Sequence, residues 1–301
     1  MTSGLPKMMQ AAILDKAGPP EAFHIAPVPV PALIPGHVII ALEYASVGPW
    51  DVRQRTGEWG PVKSGTILGA DGSGIIAAVA SDVSGLRVGE RVYSYSYKSG
   101  FYAEYVSVPA GRVERVPDQL TQQIAGAMPC VALTAHAGLR ALKLKPRQTL
   151  LVFGATGGVG SFAVWLAAHE NEAGVFGTAH SDGYDYLREL GGAPVVDSSN
   201  GFDAILATAN GSDLAGLVAR ATPNAPIAYP NGVEPGPKFD GHPSLPFDGE
   251  MSHDAFERLN KAIGKRTIPL HIEEFPLDRI VDAHRRIDQG HVEGKIVLRI
   301  R

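Results

Sequence analysis

The 301-residue chain holds one cysteine, Cys130, and no second to pair with it. An intramolecular disulfide and any zinc lobe built from several cysteines are thereby excluded. No run of about 18 apolar residues is present to span a bilayer, and Met1 to Gln10 lack the continuous apolar core of a secretory signal. A cytoplasmic protein with no membrane contact is the expectation. Acidic residues outnumber basic ones, 31 to 27, so nucleic acid is not expected as a partner. His-Glu-x-x-His, Walker and Gly-x-Ser-x-Gly motifs are also missing, which removes the main supports for hydrolytic and ATP-driven chemistry.

What the chain does have is glycine in a telling place. Leu150 to Phe153 is a short apolar run, as expected for a parallel strand covered on both faces. After it, Val159, Phe162, Ala163, Leu166 and Ala167 recur at helical spacing and form one face able to pack on that strand. Between them Ala155, Thr156, Gly157, Gly158, Val159 and Gly160 form a turn almost without side chains. There backbone N–H groups and the positive end of the helix can meet a pyrophosphate, and Gly160 lets helix and strand approach closely. A tight strand-to-helix connection alone needs no more than this. With a second strand at Val175 to Ala179, the unit reads as dinucleotide-binding.

At 301 residues two domains are expected. Up to about Pro117 the sequence reads as short strands separated by glycine and proline: Gln10 to Leu14, Val38 to Ala45, Gly74 to Ala80, Arg91 to Tyr95 and Ala103 to Val108. Thr121 to Leu142 is helical in propensity and broken near Pro129. Beyond the glycine turn, strands at Val195-Val196, Ala204 to Ala207 and Ile227 to Tyr229 alternate with helices at Tyr184 to Leu190 and Leu214 to Ala221. That alternation gives a doubly wound parallel sheet. Pro230 to Pro246 reads as a long surface loop, followed by helices at Ala255 to Gly264 and Leu277 to Gln289. A last strand, Lys295 to Ile300, is expected to return to the first domain.

These elements carry sequences that resemble the medium-chain dehydrogenase/reductases, and within them the zinc-independent quinone oxidoreductases. The likeness rests on Gln10 to Gly18, Gly69 to Gly74, Val88 to Val92, Tyr102 to Tyr105, Leu133 to Ala135, the glycine turn, Phe275 to Leu277, Ala283-His284, His291 and Gly294 to Leu298. It implies an α/β protein: a GroES-like β-rich domain over residues 1–120, a Rossmann doubly wound parallel sheet over 121–267, and a return over 268–301 to the first domain. It also implies an active-site cleft between domains and a homodimer formed through Rossmann sheet edges, through the strand ending at Tyr229. Zinc-dependent relatives have Gly-His-Glu where this chain has Gly69-Ala70-Asp71, and cysteine in the segment where it has Val47-Gly48. Cys130 falls near a third ligand position, where it reads as a small buried hydrophobe; no metal is expected.

The end of the second Rossmann strand discriminates NAD from NADP, because an acid there binds the ribose 2′-OH and repels a 2′-phosphate. By the resemblance that position is Ala179, so NADPH is the expected cofactor. Ser181 matches a serine that binds the 2′-phosphate in related reductases, with Thr178 and His180 beside it, and Thr134 belongs to the same cofactor set. Without a metal the expected reaction is hydride transfer to a quinone or an α,β-unsaturated carbonyl, assisted by hydrogen-bond donors and by positioning. The turn Gly48 to Arg53 stands where the family lines the nicotinamide, although Gly48 replaces its asparagine. Within it Trp50 is a candidate wall of the acceptor pocket, shared with Trp59, and Asp51 is either a backbone cap or an acid. Tyr95, on one strand face with Tyr93 and Tyr97, is a candidate phenol donor or a packing residue. Tyr229 and Asn231, at the carboxyl edge of the sheet, are expected to approach the nicotinamide carboxamide. His136 reads as a packed histidine. An enoyl-thioester reductase, needing a basic patch at the cleft, and a non-enzymatic NADPH-binding sensor are the alternatives.

Overall fold

The computed structural model describes residues 4–97, 99–198 and 201–301. Its first part contains β1 (Met8–Leu14), β2 (Phe23–Pro29), β3 (His37–Val47), α1 (Pro49–Thr56), β4 (Thr66–Ile67), β5 (Asp71–Val79), β6 (Arg91–Tyr95), β7 (Tyr105–Pro109) and β8 (Val113–Arg115). Two helices, α2 (Gln122–Ala127) and α3 (Pro129–Leu142), lead into β9 (Thr149–Phe153) and α4 (Gly158–Glu170). Then come β10 (Gly174–Gly177), α5 (Tyr184–Glu189), β11 (Ala193–Pro194), β12 (Ala204–Ala207), α6 (Leu214–Val218), β13 (Ile227–Pro230), β14 (Ser244–Phe247) and α7 (His253–Ile263). The chain closes with β15 (Ile272–Pro276), α8 (Ile280–Asp288) and β16 (Lys295–Arg299).

Six parallel strands form the Rossmann sheet in the order β11-β10-β9-β12-β13-β14. The order reverses between β9 and β12, and the crevice beyond their carboxyl ends is where such sheets take ligands. Leu150 and Val152 of β9 face the helices α3, α4 and α7, whereas Leu151 and Phe153 face the α6 side, so both faces are covered. That is why the strand is apolar throughout.

The other part has a three-stranded sheet, β2-β1-β4, and a seven-stranded one in which β15-β16-β3-β5-β6-β8 run in order and β7 pairs with β3. Antiparallel pairing sets Ile296 against Val47 and Leu298 against Ala45, making the last strand integral to the first domain. Among the described residues no helix is long and apolar enough to cross a membrane.

Several elements depart from the sequence reading. Gly48 to Arg53 is not a turn: Pro49 opens α1, because proline's fixed φ suits a first helical position and Asp51 completes a capping box with Gly48. Val195-Val196 is a 3₁₀ turn, and the strand is the preceding Ala193–Pro194. The loop read over Pro230 to Pro246 ends in β14, which pairs with β13 from Ile227↔Ser244 to Pro230↔Phe247. The strand ending at Tyr229 is therefore interior. The edges of this sheet are β11 and β14, so the strand expected to form the dimer is not an edge.

Candidate active site

One cleft of about 1960 Å³ runs between the two parts of the molecule. Its volume exceeds the several hundred Å³ of a typical small-ligand site and suits a dinucleotide with a second small molecule.

The glycine turn forms one wall. Gly154 follows β9 with φ +82°, a conformation open to glycine, and its N–H donates to Thr178 Oγ1 at 2.8 Å. Thr208, after β12, donates its hydroxyl to Phe153 O at 2.8 Å and ties the two strand ends together at the switch point. A Cβ on Gly160 would stand 2.0 Å from Gly154 O, so only glycine brings α4 this close to the strand. At Gly157 a Cβ would have no neighbour nearer than Gly154 O at 3.6 Å and would occupy the cleft instead. Gly157 is also the N-cap of α4 and caps it with no side chain. Together with Thr156, Gly158 and Val159 it lines a cradle that fits a pyrophosphate.

Thr178, Ala179 and His180 continue the wall from β10. His180 Nε2 lies 2.9 Å from Nδ1 of His291, which arrives from the opposite side of the cleft. His291 holds φ +50°, an uncommon conformation for a side-chain-bearing residue, while its carbonyl accepts from Arg286.

At the far end, Trp50, Tyr95, Thr134 and Lys295 line the cleft. Trp50 explains Gly48: a Cβ there would meet the indole at 2.2–2.5 Å, so the ring occupies the space a side chain at 48 would need. Thr134 donates to Cys130 O at 2.8 Å, and a Cβ on Gly249 would stand 2.5 Å from its hydroxyl. The Tyr95 hydroxyl lies against the Cys130 thiol, and burial pushes the pKa of both groups up. Beneath them Asp71 is enclosed: its Oδ1 accepts from Ser46 Oγ at 2.8 Å and its Oδ2 from the Cys130 N–H at 2.9 Å. The Lys295 ammonium donates to Val47 O at 2.9 Å and lies 5.0 Å from the Trp50 ring centroid. Trp59 lies at the rim, stacked edge-on against Tyr97.

Six of the expected residues do not line the cleft. Asp51 is fully buried: its Oδ2 accepts from the Gly48 N–H at 2.9 Å, so it caps α1, and burial lifts its carboxyl to about 7. Ala155 and Gly160 are buried in the strand-to-helix contact. Ser181 is exposed at the start of a 3₁₀ turn, and Asp182 lines the cleft in its place. Tyr229 follows the alternation of β13 to the α6 side of the sheet. Asn231 donates to Asp248 Oδ2 at 2.7 Å, while its neighbours Pro230 and Gly232 line the cleft. His136 is packed among helices α3, α4 and α7, where burial lowers it to about 4.

Sequence reasoning missed Lys295 and His291 as site residues. Lys295 is the only charge in an otherwise apolar strand start, and such a lysine ordinarily marks a solvated end. Its role is visible only when Val47, Trp50 and Gly158 are brought around it.

A β-rich GroES-like part, a Rossmann sheet and a ligand cleft between them define the two-domain oxidoreductase class. The chain matches the alcohol dehydrogenase GroES-like domain over residues 34–118 and the zinc-binding dehydrogenase family over 193–298. It is 31% identical to the chloroplastic quinone-oxidoreductase QR1 of Triphysaria versicolor over 72% of this chain and 69% of that protein. It is 25% identical to the chloroplastic NADPH-dependent alkenal/one oxidoreductase of Arabidopsis thaliana, over 98% of this chain and 81% of that one. The solved quinone oxidoreductase of Coxiella burnetii superposes with a TM-score of 0.85 at 25% identity, covering 98% of this chain and all of that one. The chain belongs to the medium-chain dehydrogenase/reductase superfamily.

The family description implies zinc, and the residues here do not fit it. Among the described residues no group of three His, Cys, Asp or Glu side chains is placed to hold a metal ion. Cys130 has a thiol that burial keeps protonated, both Asp71 oxygens are engaged, and a lysine ammonium stands beside them.

Proposed function

We propose that the protein is an NADPH-dependent reductase of quinones or α,β-unsaturated carbonyls that works without a metal. The observation that carries this reading is a single cleft lined at one end by the side-chain-free cradle of Gly157 and at the other by Trp50, Tyr95 and Lys295. The first end has the chemistry of a pyrophosphate site; the second is aromatic, with donors and, among the described residues, no metal ligand set. The names of the Triphysaria and Arabidopsis relatives agree with this pairing.

A reduced nicotinamide supplies hydride when bound. The protein's part is to seat it and the acceptor. Gly157 and Gly158 leave the amides of α4 open to the phosphates. Ala179 places no carboxylate at the end of β10, and His180 beside it lines the cleft with an imidazole, which favours a 2′-phosphate against the opposing charge of Asp182. Trp50 and Tyr95 give a flat conjugated acceptor an apolar bed. A cytoplasmic location and a homodimer belong to the same proposal.

The test is turnover by purified protein with benzoquinones, naphthoquinones, enals and enones, followed as loss of NADPH absorbance. NADPH is expected to bind more tightly than NADH, and activity is expected to survive dialysis against a strong chelator. Binding without oxidation by any acceptor would make the protein a sensor or structural module. Loss of activity on chelation would overturn the metal-free reading.

A further inference from the structure

Lys295 opens β16, and its side chain takes a defined route. From a backbone N–H that donates to His271 O, its stem passes so close to the glycine turn that a Cβ on Gly158 would stand 2.9 Å from its Cδ. It ends at Val47 O and beside the Trp50 ring, in the wall of the cleft. The residue is only 3% exposed. The hydrogen bond to Val47 uses one of the ammonium's three donors. Burying a cation carries a desolvation cost that the nearby Asp71 carboxylate only partly offsets, a cost an apolar side chain at this position would avoid.

We propose that Lys295 holds the carbonyl oxygen of the acceptor and gives it a proton as hydride adds to the conjugated carbon. The proposal rests on the quinone and enone reading above and names the residue that handles the charge in it. The other groups at this end are poorer candidates. Asp51 is sealed beneath α1, both Asp71 oxygens are occupied, and burial makes the Tyr95 phenol a weaker acid. Trp50 Nε1, buried and without a hydrogen-bond partner, is a donor but not an acid. Burial lowers the pKa of Lys295, with the carboxylate of Asp71 the foremost opposing influence, and a lowered lysine gives up its proton more readily near neutral pH.

The step balances for an enone. Hydride forms the new C–H bond at the β-carbon, the C=C pair shifts toward the α-carbon, and the C=O π pair becomes a lone pair on oxygen. That oxygen takes a proton from Nζ, leaving an enol and a neutral amine. The enol gains a proton at the α-carbon from water and returns its hydroxyl proton to solvent, while the amine is reprotonated by water. One reduced nicotinamide and one proton are consumed, and one C=C bond is saturated. For a quinone the same transfer yields the hydroquinone.

The experiment compares wild type with Lys295→Met. The variant is expected to keep its NADPH dissociation constant within threefold while kcat falls about 10²–10³-fold, the usual loss for one oxyanion donor. A readout without turnover uses p-nitrophenol, whose anion resembles the enolate, added to protein saturated with NADP⁺. In wild type the bound phenol is expected to ionise at least one pH unit below the free compound, seen as the yellow anion's absorbance, and the shift is expected to vanish in Lys295→Met. Retention of kcat within threefold, an unshifted phenol, or no binding of it at millimolar concentration would overturn the assignment. If the variant does not fold, the wild-type phenol titration decides alone. If wild type reduces no conjugated acceptor, the functional reading fails, a result separable from the titration because the latter needs no turnover.

Discussion

Single side chains set the protein's response to pH. His284 is fully buried against Phe23 and Tyr102, and neither ring nitrogen has a hydrogen-bond partner. Burial, with Arg55 nearby, lowers it to about 3 from an ordinary 6.5. The unfolded chain therefore binds a proton at this residue that the folded one refuses, so stability falls as pH drops from about 6.5 toward 3. Replacing His284 with Leu should narrow the gap between Tm at pH 7.5 and at pH 5 by several degrees, measured by calorimetry. An unchanged gap would mean that His284 is protonated in the fold. Asp51 has the opposite sign: its carboxyl is raised from 3.8 to about 7, so its contribution is lost as pH rises through that range. The two effects run against each other between about pH 4 and 6.5, so the His284 contribution is read from the difference between wild type and variant.

The strand-turn-helix of β9 and α4 was readable from sequence because it is local: an apolar run, glycines and a helical period within twenty residues. What sequence could not separate is the work of the individual glycines. Gly160→Ala would drive a Cβ into backbone at Gly154 and Ala155. It should cost about 2–4 kcal/mol in denaturant unfolding and weaken NADPH binding as well. Gly157→Ala meets no close neighbour and keeps an ordinary extended backbone, with φ −74° and ψ 173°. Its stability should stay within about 0.5 kcal/mol of wild type, while NADPH affinity falls at least tenfold because the methyl enters the cradle. Equal stability losses for the two would show that the turn relaxes differently. The two-residue β4 and the three-residue β8 escaped notice for a related reason. Strands of two or three residues carry too little alternation to stand out, and β4 pairs with β1 some fifty residues away.

For the whole molecule, the proposed homodimer can form through β14, which with β11 is one of the two edges of the Rossmann sheet. An isologous pair across this edge would extend the Rossmann sheet into the partner and cover its unpaired backbone groups. Sedimentation at micromolar concentration should return twice the mass of the chain; a monomer would rule the dimer out. The site shows the same dependence on long-range arrangement. Ala179, Gly157 and Trp50 could be placed from local sequence and family likeness, whereas Lys295 and His291 reach the cleft only because the end of the chain returns across it. Tyr229 faces away from the cleft because each step along a strand changes which face a side chain meets, and Asn231, just past the strand, turns to Asp248.

The position of β16 also bears on how the molecule is made. It lies between β15 and β3 in the seven-stranded sheet, and residues 149–247 form the complete Rossmann sheet before either C-terminal strand has been synthesised. On the ribosome the second domain can therefore close first, while β3 waits with an open edge for strands encoded last. A chain cut short before residue 295 would lose more than Lys295. It would expose that edge to other nascent chains, so premature termination should lead to aggregation rather than to a weakened enzyme.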